Sequence, residues 1–515
     1  MPRSLYRRAI VFVAGVSAVG ASCGASRLLA PYCGAGLFLE SALLGIVLAA
    51  FAAGCAFGGR AAPRGTSPVG LAGAMAGAGA WALLLPWLGH PLISRLDLIG
   101  MRATTVLACV LLPGPVLFLL GMALAFAVQI GLASAPRRPI HGASEPIGAL
   151  VLGAAAAAVA GRTLLATLGL GRFLAGVGLL DLAAAALALP GAGLSRIALP
   201  LFGGLGLLGA ADLWKNPASH ADPVFGLVDA REGDDTEIRV LELQDARYLL
   251  TDGSIQAVVA PETWQSLHRA SVAVDLLKHV FDAPGTLFVA GVRAGSVCKS
   301  FARDGWRVEA CEADGRLLRT DSEWFGLHAS EARLIHADPR AFLRRHRGPY
   351  DLVVLDVFGN STLPLHLMTQ EFFAEAAAAL RPGGVLALPI ETVGWDDVLV
   401  KSLAATLDQV FGEVVALPTS EPPNALGSMV LAASNRKLEV PDEALGSPRE
   451  HFGDDYGHWF VVQTNHAWLN RFAPEKRLDL ILTDDRNPAD LWAERINRVG
   501  RKELHEFFGP HGRSW

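Results

Sequence analysis

Residues Leu287–Asp314 read LFVAGVRAGSVCKSFARDGWRVEACEAD. An apolar run stops at Gly291, and a short turn containing Gly295 leads into an amphipathic stretch. RVEACE is then apolar at alternate positions and closes on an acid, Glu312. Strand, glycine turn, helix, strand and acid in that order outline a nucleotide-binding βαβ unit. Gly291 and Gly295 let the backbone pass close to a ligand, a weak signal by itself. Glu312, about twenty residues on, is placed to accept hydrogen bonds from two ribose hydroxyls. One residue is out of keeping: Arg293 puts a cation inside the turn.

The pattern continues on both sides. TLFVAG, RVEACEA, ARLIHAD, DLVVLDVF and GGVLALPI alternate with helical stretches, which predicts an α/β fold with a parallel sheet covered by helices. Ligands of such sheets sit at the carboxyl ends of the strands. Those ends carry Gly291, Glu312, Asp338, Asp356 and Glu391. Asp338 has two readings, an acceptor for an adenine amino group or an N-cap ahead of Pro339. Asp356 closes YDLVVLD, where a carboxylate can act as general base or hold an amine. Upstream, residues 227–259 alternate apolar and polar around glycine-containing turns. They predict a small antiparallel sheet from about 224 to 260, with Asp252-Gly253 as a turn, and then a helix near 262–281.

The first part of the chain is a different polymer. Stretches near 9–30, 37–59, 68–88, 103–133, 147–168, 172–190 and 196–213 are apolar over the ~17–25 residues a bilayer requires. The spacing predicts a transmembrane helical domain over 1–213 with six to eight helices. The glycine pairs Gly20 and Gly24, Gly54 and Gly58, and Gly73 and Gly77 have the spacing that lets helix backbones touch. Arg3, Arg7, Arg8, Arg60, Arg64, Arg137 and Arg138 fall on one side if the N-terminus is cytoplasmic. Seven crossings would then strand the C-terminal part outside. Arg162 and Asp181 interrupt apolar sequence, and mutual pairing is the economical arrangement for them.

The net charge of −5 gives no reason to expect nucleic acid. The six cysteines, Cys23, Cys33, Cys55, Cys109, Cys298 and Cys311, are scattered, without C-x-x-C, and read as reduced and structural. No histidine has metal-ligand spacing, so no metal is expected.

The order of the motifs resembles the spermidine synthase family of aminopropyltransferases, and end to end the chain looks like membrane-fused spermidine synthase-like proteins. SRLLAPYCG and AAGCAFGGRAAPRG resemble the first two helices of that group. LLTDGSIQ, YDLVVLDVF with LPLHLMTQEFF, LRPGGVLAL and LTDDRNP resemble its soluble part. The resemblance implies a class I S-adenosylmethionine (Rossmann-like) fold over 261–515 with a C-terminal extension, preceded by a small β-domain over 214–260. It implies that Gln256 contacts the sulfonium donor, Glu312 its ribose and Asp338 its adenine. Asp356 takes the place of the aspartate that activates the attacking amine, and Glu391 and Trp264 fall at the acceptor site.

The departures are as informative. Gly359 stands where the family's polyamine loop has a second Asp. Trp264 and Gln265 stand near the place of a tyrosine, and LPTSEPPNALGS supplies no later one. Putrescine needs carboxylates and aromatic faces at both ends, and this chain keeps only part of that set. Arg293 aligns with an aspartate that holds the ammonium of decarboxylated S-adenosylmethionine.

The expected function is a transferase in the inner, cytoplasmic membrane, its soluble domain facing the cytoplasm. The co-substrate is S-adenosylmethionine or its decarboxylated form, methylthioadenosine leaves, and the acceptor is a small-molecule amine or a lipid. Homo-oligomeric assembly is left open. The alternatives are a sulfonium lyase or cyclase, a methyltransferase on a membrane substrate, and a non-catalytic transporter or sensor.

Overall fold

The computed structural model describes residues 3–34, 36–61, 68–96, 101–134, 137, 139–189, 226–232, 236–346, 348–357, 363–419, 426–445 and 454–508. The chain forms two compact units, the helices through Ala188 in one and the elements from Gly226 in the other.

The first unit is all helix: α1 (Arg3–Cys33), α2 (Leu37–Ala61), α3 (Pro68–Leu96), α4 (Met101–Leu111), α5 (Pro113–Ser134), α6 (Pro139–Leu168) and α7 (Leu170–Ala188). Among the described residues, six spans are long and apolar enough to cross a membrane, with α4 and α5 counted as one. That stretch, expected as one helix, divides at Leu112. Pro113 has no amide hydrogen and its ring crowds the preceding turn, so it serves instead as the first residue of α5. The expected segment 196–213 lies outside the described residues.

Helix α1 packs on α6 and α7, α2 on α5, and α3 on α5 and α7. A Cβ at Gly54 would run into the Phe118 carbonyl, and one at Gly58 would lie 2.9 Å from the Met122 Cα, so α2 rests on the backbone of α5. Gly20 and Gly24 face Val177 and Leu174 of α7, and Gly77 faces Leu119 of α5. Gly73 faces open space, so that glycine pair is only half used. The expected pairing of Arg162 with Asp181 is replaced by another contact. Asp181 is fully buried and its Oδ1 accepts a hydrogen bond from Ser17 Oγ of α1 at 2.7 Å, while Arg162 is exposed. The reason is packing: α6 lies mainly on α1 and α7 on α3, so the two helices do not form the facing hairpin that the sequence suggests.

The second unit opens with a four-stranded antiparallel meander, β1 (Gly226–Glu232), β2 (Glu237–Leu243), β3 (Ala246–Thr251) and β4 (Ser254–Val259). Asp252 and Gly253, at φ 47° and 73°, make the tight β3–β4 turn. The helix expected near 262–281 starts only at Arg269. Trp264 takes φ 57° and Ser266 bridges back to Val259, which keeps the intervening segment non-helical. Helix α8 (Arg269–Leu276) comes next, continued by a 3-10 turn over Leu277–Val280.

The main sheet has seven strands in the order β10-β11-β9-β8-β5-β6-β7. They are β5 (Thr286–Ala290), β6 (Arg307–Glu312), β7 (Arg333–His336), β8 (Tyr350–Leu355), β9 (Leu380–Val393), β10 (Glu413–Pro418) and β11 (Leu426–Ser434). The five expected strands are parallel to one another. Strands β10 and β11, which the sequence reading did not anticipate, add an antiparallel edge beside β9.

Helices α9 (Ser296–Arg303), α10 (Gly315–Trp324), α11 (Pro339–Arg345), α12 (Gln370–Ala379), α13 (Val398–Asp408), α14 (Asp454–Leu469) and α15 (Ala489–Phe508) complete the unit. Alternate residues of the central strands enter two cores. Phe288, Val353 and Leu355 pack with α11, α12, α13 and α15, whereas Leu287, Leu352 and Val354 pack with α8, α9 and α14. The result is a three-layer α/β/α sandwich. Its central strands are buried on both faces, as continuous apolar runs require.

Candidate active site

Strands β5 and β8 are neighbours, and both leave the sheet at the same edge, at Ala290 and Leu355. From β5 the chain winds outward through β6 and β7 on one flank. It then crosses to build β8, β9, β11 and β10 on the other. The crevice between the ends of β5 and β8 is therefore the topological switch point of the sheet, where such folds take their ligands.

Gly291 follows β5 at φ 83°, and a Cβ there would overlap the carbonyl of Asp356. Only glycine lets these strand ends meet. The next turn is less ordinary: Arg293, Ala294 and Gly295 stand at φ 40°, 60° and 68°. For residues other than glycine this left-handed region costs roughly 1–2 kcal/mol each. The turn is held from outside, because Asp321 Oδ1 of α10 accepts the Ala294 amide at 3.0 Å. Asp321 is fully buried.

The Arg293 guanidinium turns into the crevice, with Nη1 3.2 Å from Asp356 Oδ1 and side chains 11% and 9% exposed. Burial pushes the Asp356 carboxyl above its usual range and Arg293 opposes it. His268, just before α8, is brought down to about 4 by burial and then by the neighbouring Arg293 charge, so it is neutral at pH 7.

The other sequence-predicted residues stand around this pair. Glu312 ends β6 with Oε2 accepting from the Val292 amide at 3.3 Å and Oε1 from the Asp314 amide at 3.0 Å. Burial raises its carboxyl despite these bonds. Gln256 is buried in β4, and that strand packs on the Arg293–Gly295 turn. Asp338 caps α11: Oδ1 accepts the Ala341 amide and Oδ2 lies 2.8 Å from His366 Nε2. Glu391 does not end its strand as the sequence reading expected; it lies within β9, opposite Ser428 of β11, because β9 runs on to Val393. Trp264 packs its indole on Gly326, with Arg247 and Lys299 over the ring at 5.2 and 5.0 Å. Gly359 lies outside the described residues.

Sequence reasoning missed His268 and Asp321. Both sit in stretches that read as ordinary polar surface, and neither has a motif around it. It also left LTDDRNP without a role. Arg340 of α11, buried, bonds Glu375 of α12, Asp484 and the His366 carbonyl, while Thr369 Oγ1 donates to Asp484 at 2.8 Å. This late segment thus ties down the turn bearing His366, and through it Asp338. All six cysteines are free, and burial pushes the thiols of Cys298 and Cys311 up to about 12, which makes them inert.

Fold and site together define a class: an α/β domain with a ligand crevice at its switch point, lined by carboxylates and one buried guanidinium. No protein-family model matches the chain. It is 27% identical to a polyamine aminopropyltransferase of Vibrio vulnificus over 217 residues, which is 40% of this chain and 70% of that one. It is 29% identical to polyamine aminopropyltransferase 2 of Pseudomonas aeruginosa, across 33% of this chain and 50% of that one. It is 26% identical to spermidine synthase 1 of Pisum sativum, across 33% and 54%. The chain thus spans about half the length of the last two. A solved structure of a probable spermidine synthase from Corynebacterium glutamicum is also similar, at 20% identity and a TM-score of 0.38, across 48% of this chain and 95% of that one. These relatives point to the spermidine synthase-like, polyamine aminopropyltransferase family, and the matches are confined to the C-terminal part of the chain.

Proposed function

We propose that the chain is a membrane-embedded, spermidine synthase-like transferase. It moves an alkyl chain from a sulfonium nucleoside, S-adenosylmethionine or its decarboxylated form, to a small-molecule amine or a lipid. The acceptor's lone pair attacks the methylene beside the sulfonium, the electrons of the breaking carbon–sulfur bond return to sulfur, and methylthioadenosine leaves. Asp356 takes the proton that the acceptor sheds. Glu312 keeps lone pairs beyond its two backbone bonds for the ribose hydroxyls. Asp338 serves the adenine, Gln256 the sulfonium end, and Glu391 with Trp264 the acceptor.

The observation that carries this reading is the Arg293–Asp356 pair at the switch point. An acid there suits the proton transfer. The arginine decides between the donors, because its planar fork pairs with a carboxylate and repels an ammonium. The favoured donor is therefore S-adenosylmethionine itself, and the group moved is its amino-carboxypropyl chain. A diamine fits the acceptor side less well, since Asp356 is already paired with Arg293.

In this reading each of the six described spans crosses, which returns the chain to the side on which it began. With Arg7 and Arg8 of α1, Arg60 of α2 and Arg137 after α5 on the cytoplasmic side, the soluble unit faces the cytoplasm, where the donor is made. The test is product identity. Purified full-length protein incubated with each donor and an extract of cell amines and lipids as acceptors should release methylthioadenosine, detected by mass spectrometry, and Asp356→Asn should slow that release by ~10²–10⁴-fold. Release of S-adenosylhomocysteine instead would mean methyl transfer and overturn the reading.

A further inference from the structure

We infer that Asp356 is a specificity-determining residue for the donor as well as the proton acceptor: its carboxylate competes with the donor's carboxylate for Arg293. This rests on the reading above. Among the described residues Asp356 is the one carboxylate ion-paired with Arg293, and both side chains are about nine-tenths buried. Arginine stays charged at any working pH, so its charge must be met by an anion. The other titratable group beside it, His268, is a neutral imidazole and supplies none. The Ala294 amide is pinned by Asp321, which keeps the arginine backbone at φ 40° and directs its reach to the end of β8.

The consequence comes from counting charges in the crevice. While the pair is closed, the guanidinium favours the ionised form of Asp356 and makes it a poorer base. A donor without a carboxylate brings only cations, its sulfonium and its ammonium, which Arg293 repels, and leaves the pair closed. A donor with a carboxylate offers Arg293 a replacement partner for its fork of N–H groups. Asp356 then loses its guanidinium partner in a buried site, a change that raises its affinity for a proton. Donor recognition and release of the base are thus one exchange of partners.

Calorimetry on the full chain in detergent tests this with S-adenosylmethionine and its decarboxylated form. Asp356→Asn removes the competing charge and should tighten S-adenosylmethionine binding about tenfold, the lower end for a hydrogen-bonded charge pair. Asp356→Ala should show the same gain, and neither variant should bind the decarboxylated donor more tightly. Adding Arg293→Met to Asp356→Asn should abolish the gain. If Arg293→Met weakens S-adenosylmethionine binding but neither Asp356 variant strengthens it, the competition is refuted and the donor reading stands. If Arg293→Met binds as wild type does, the donor reading fails and takes the competition with it.

Discussion

Arg293 and Ala294 hold a left-handed backbone that L-residues adopt at a cost, and a single buried carboxylate, Asp321, meets the turn at the Ala294 amide. Burial, then the nearby Glu312, raises the Asp321 carboxyl well above its ordinary range. An acid shifted upward keeps its proton in the folded chain after the unfolded chain has released it. Its contribution is therefore complete below about pH 4 and is lost as pH climbs through the higher folded value. Asp321→Asn keeps an oxygen for the Ala294 amide and has no proton to lose. The melting temperature of wild type should accordingly fall more steeply than that of the variant as the pH rises above about 4. Parallel curves would show that Asp321 titrates as an ordinary surface acid. None of this was legible in GRLLRTDSEW, which reads as a solvated helix.

Among the elements, the α2–α5 contact distinguishes glycines that the sequence treats alike. Gly54 and Gly73 both belong to pairs with helix-packing spacing, yet a Cβ at Gly54 would strike the Phe118 carbonyl, whereas one at Gly73 meets nothing within 4 Å. In a helix with room, alanine is better than glycine by roughly 0.5–1 kcal/mol; against a packed backbone it costs about 1–3 kcal/mol. Melting of the detergent-solubilised protein should therefore drop for Gly54→Ala and hold or rise slightly for Gly73→Ala. Equal responses at the two positions would mean that α2 and α5 are not in backbone contact. The glycine spacing was visible in the sequence; which glycine faces a neighbour depends on helix rotation, which residues far along the chain set.

For the molecule as a whole, the proposed orientation rests on parity and charge. Arg7 and Arg8 of α1 pair with Glu145 of α6, at 3.0 Å for Arg7, so the starts of these two helices lie together. That is as expected if both begin on the same side of a bilayer. A C-terminal tag should be protected in intact cells and become reactive only after the membrane is opened. Labelling from outside would put the soluble unit on the wrong face and remove the supply of donor on which the proposed reaction depends.

Most of the elements, and the strand ends at which acids fall, were legible in the sequence. Apolar length marked helices long enough to cross a membrane, strand–helix alternation marked the parallel strands, and the acids after β6 and β8 marked the sheet edge at which the candidate site forms. These are local properties, written in residues a few positions apart. The tertiary structure decided which groups meet. It placed β5 beside β8 and so brought Arg293 onto Asp356, gave Asp181 to Ser17, and set Glu391 inside β9. It also added the β10–β11 edge and gave LTDDRNP its place against Arg340. Each of these joins residues distant in sequence, and their partners are set by strand order and helix packing, which no local periodicity encodes.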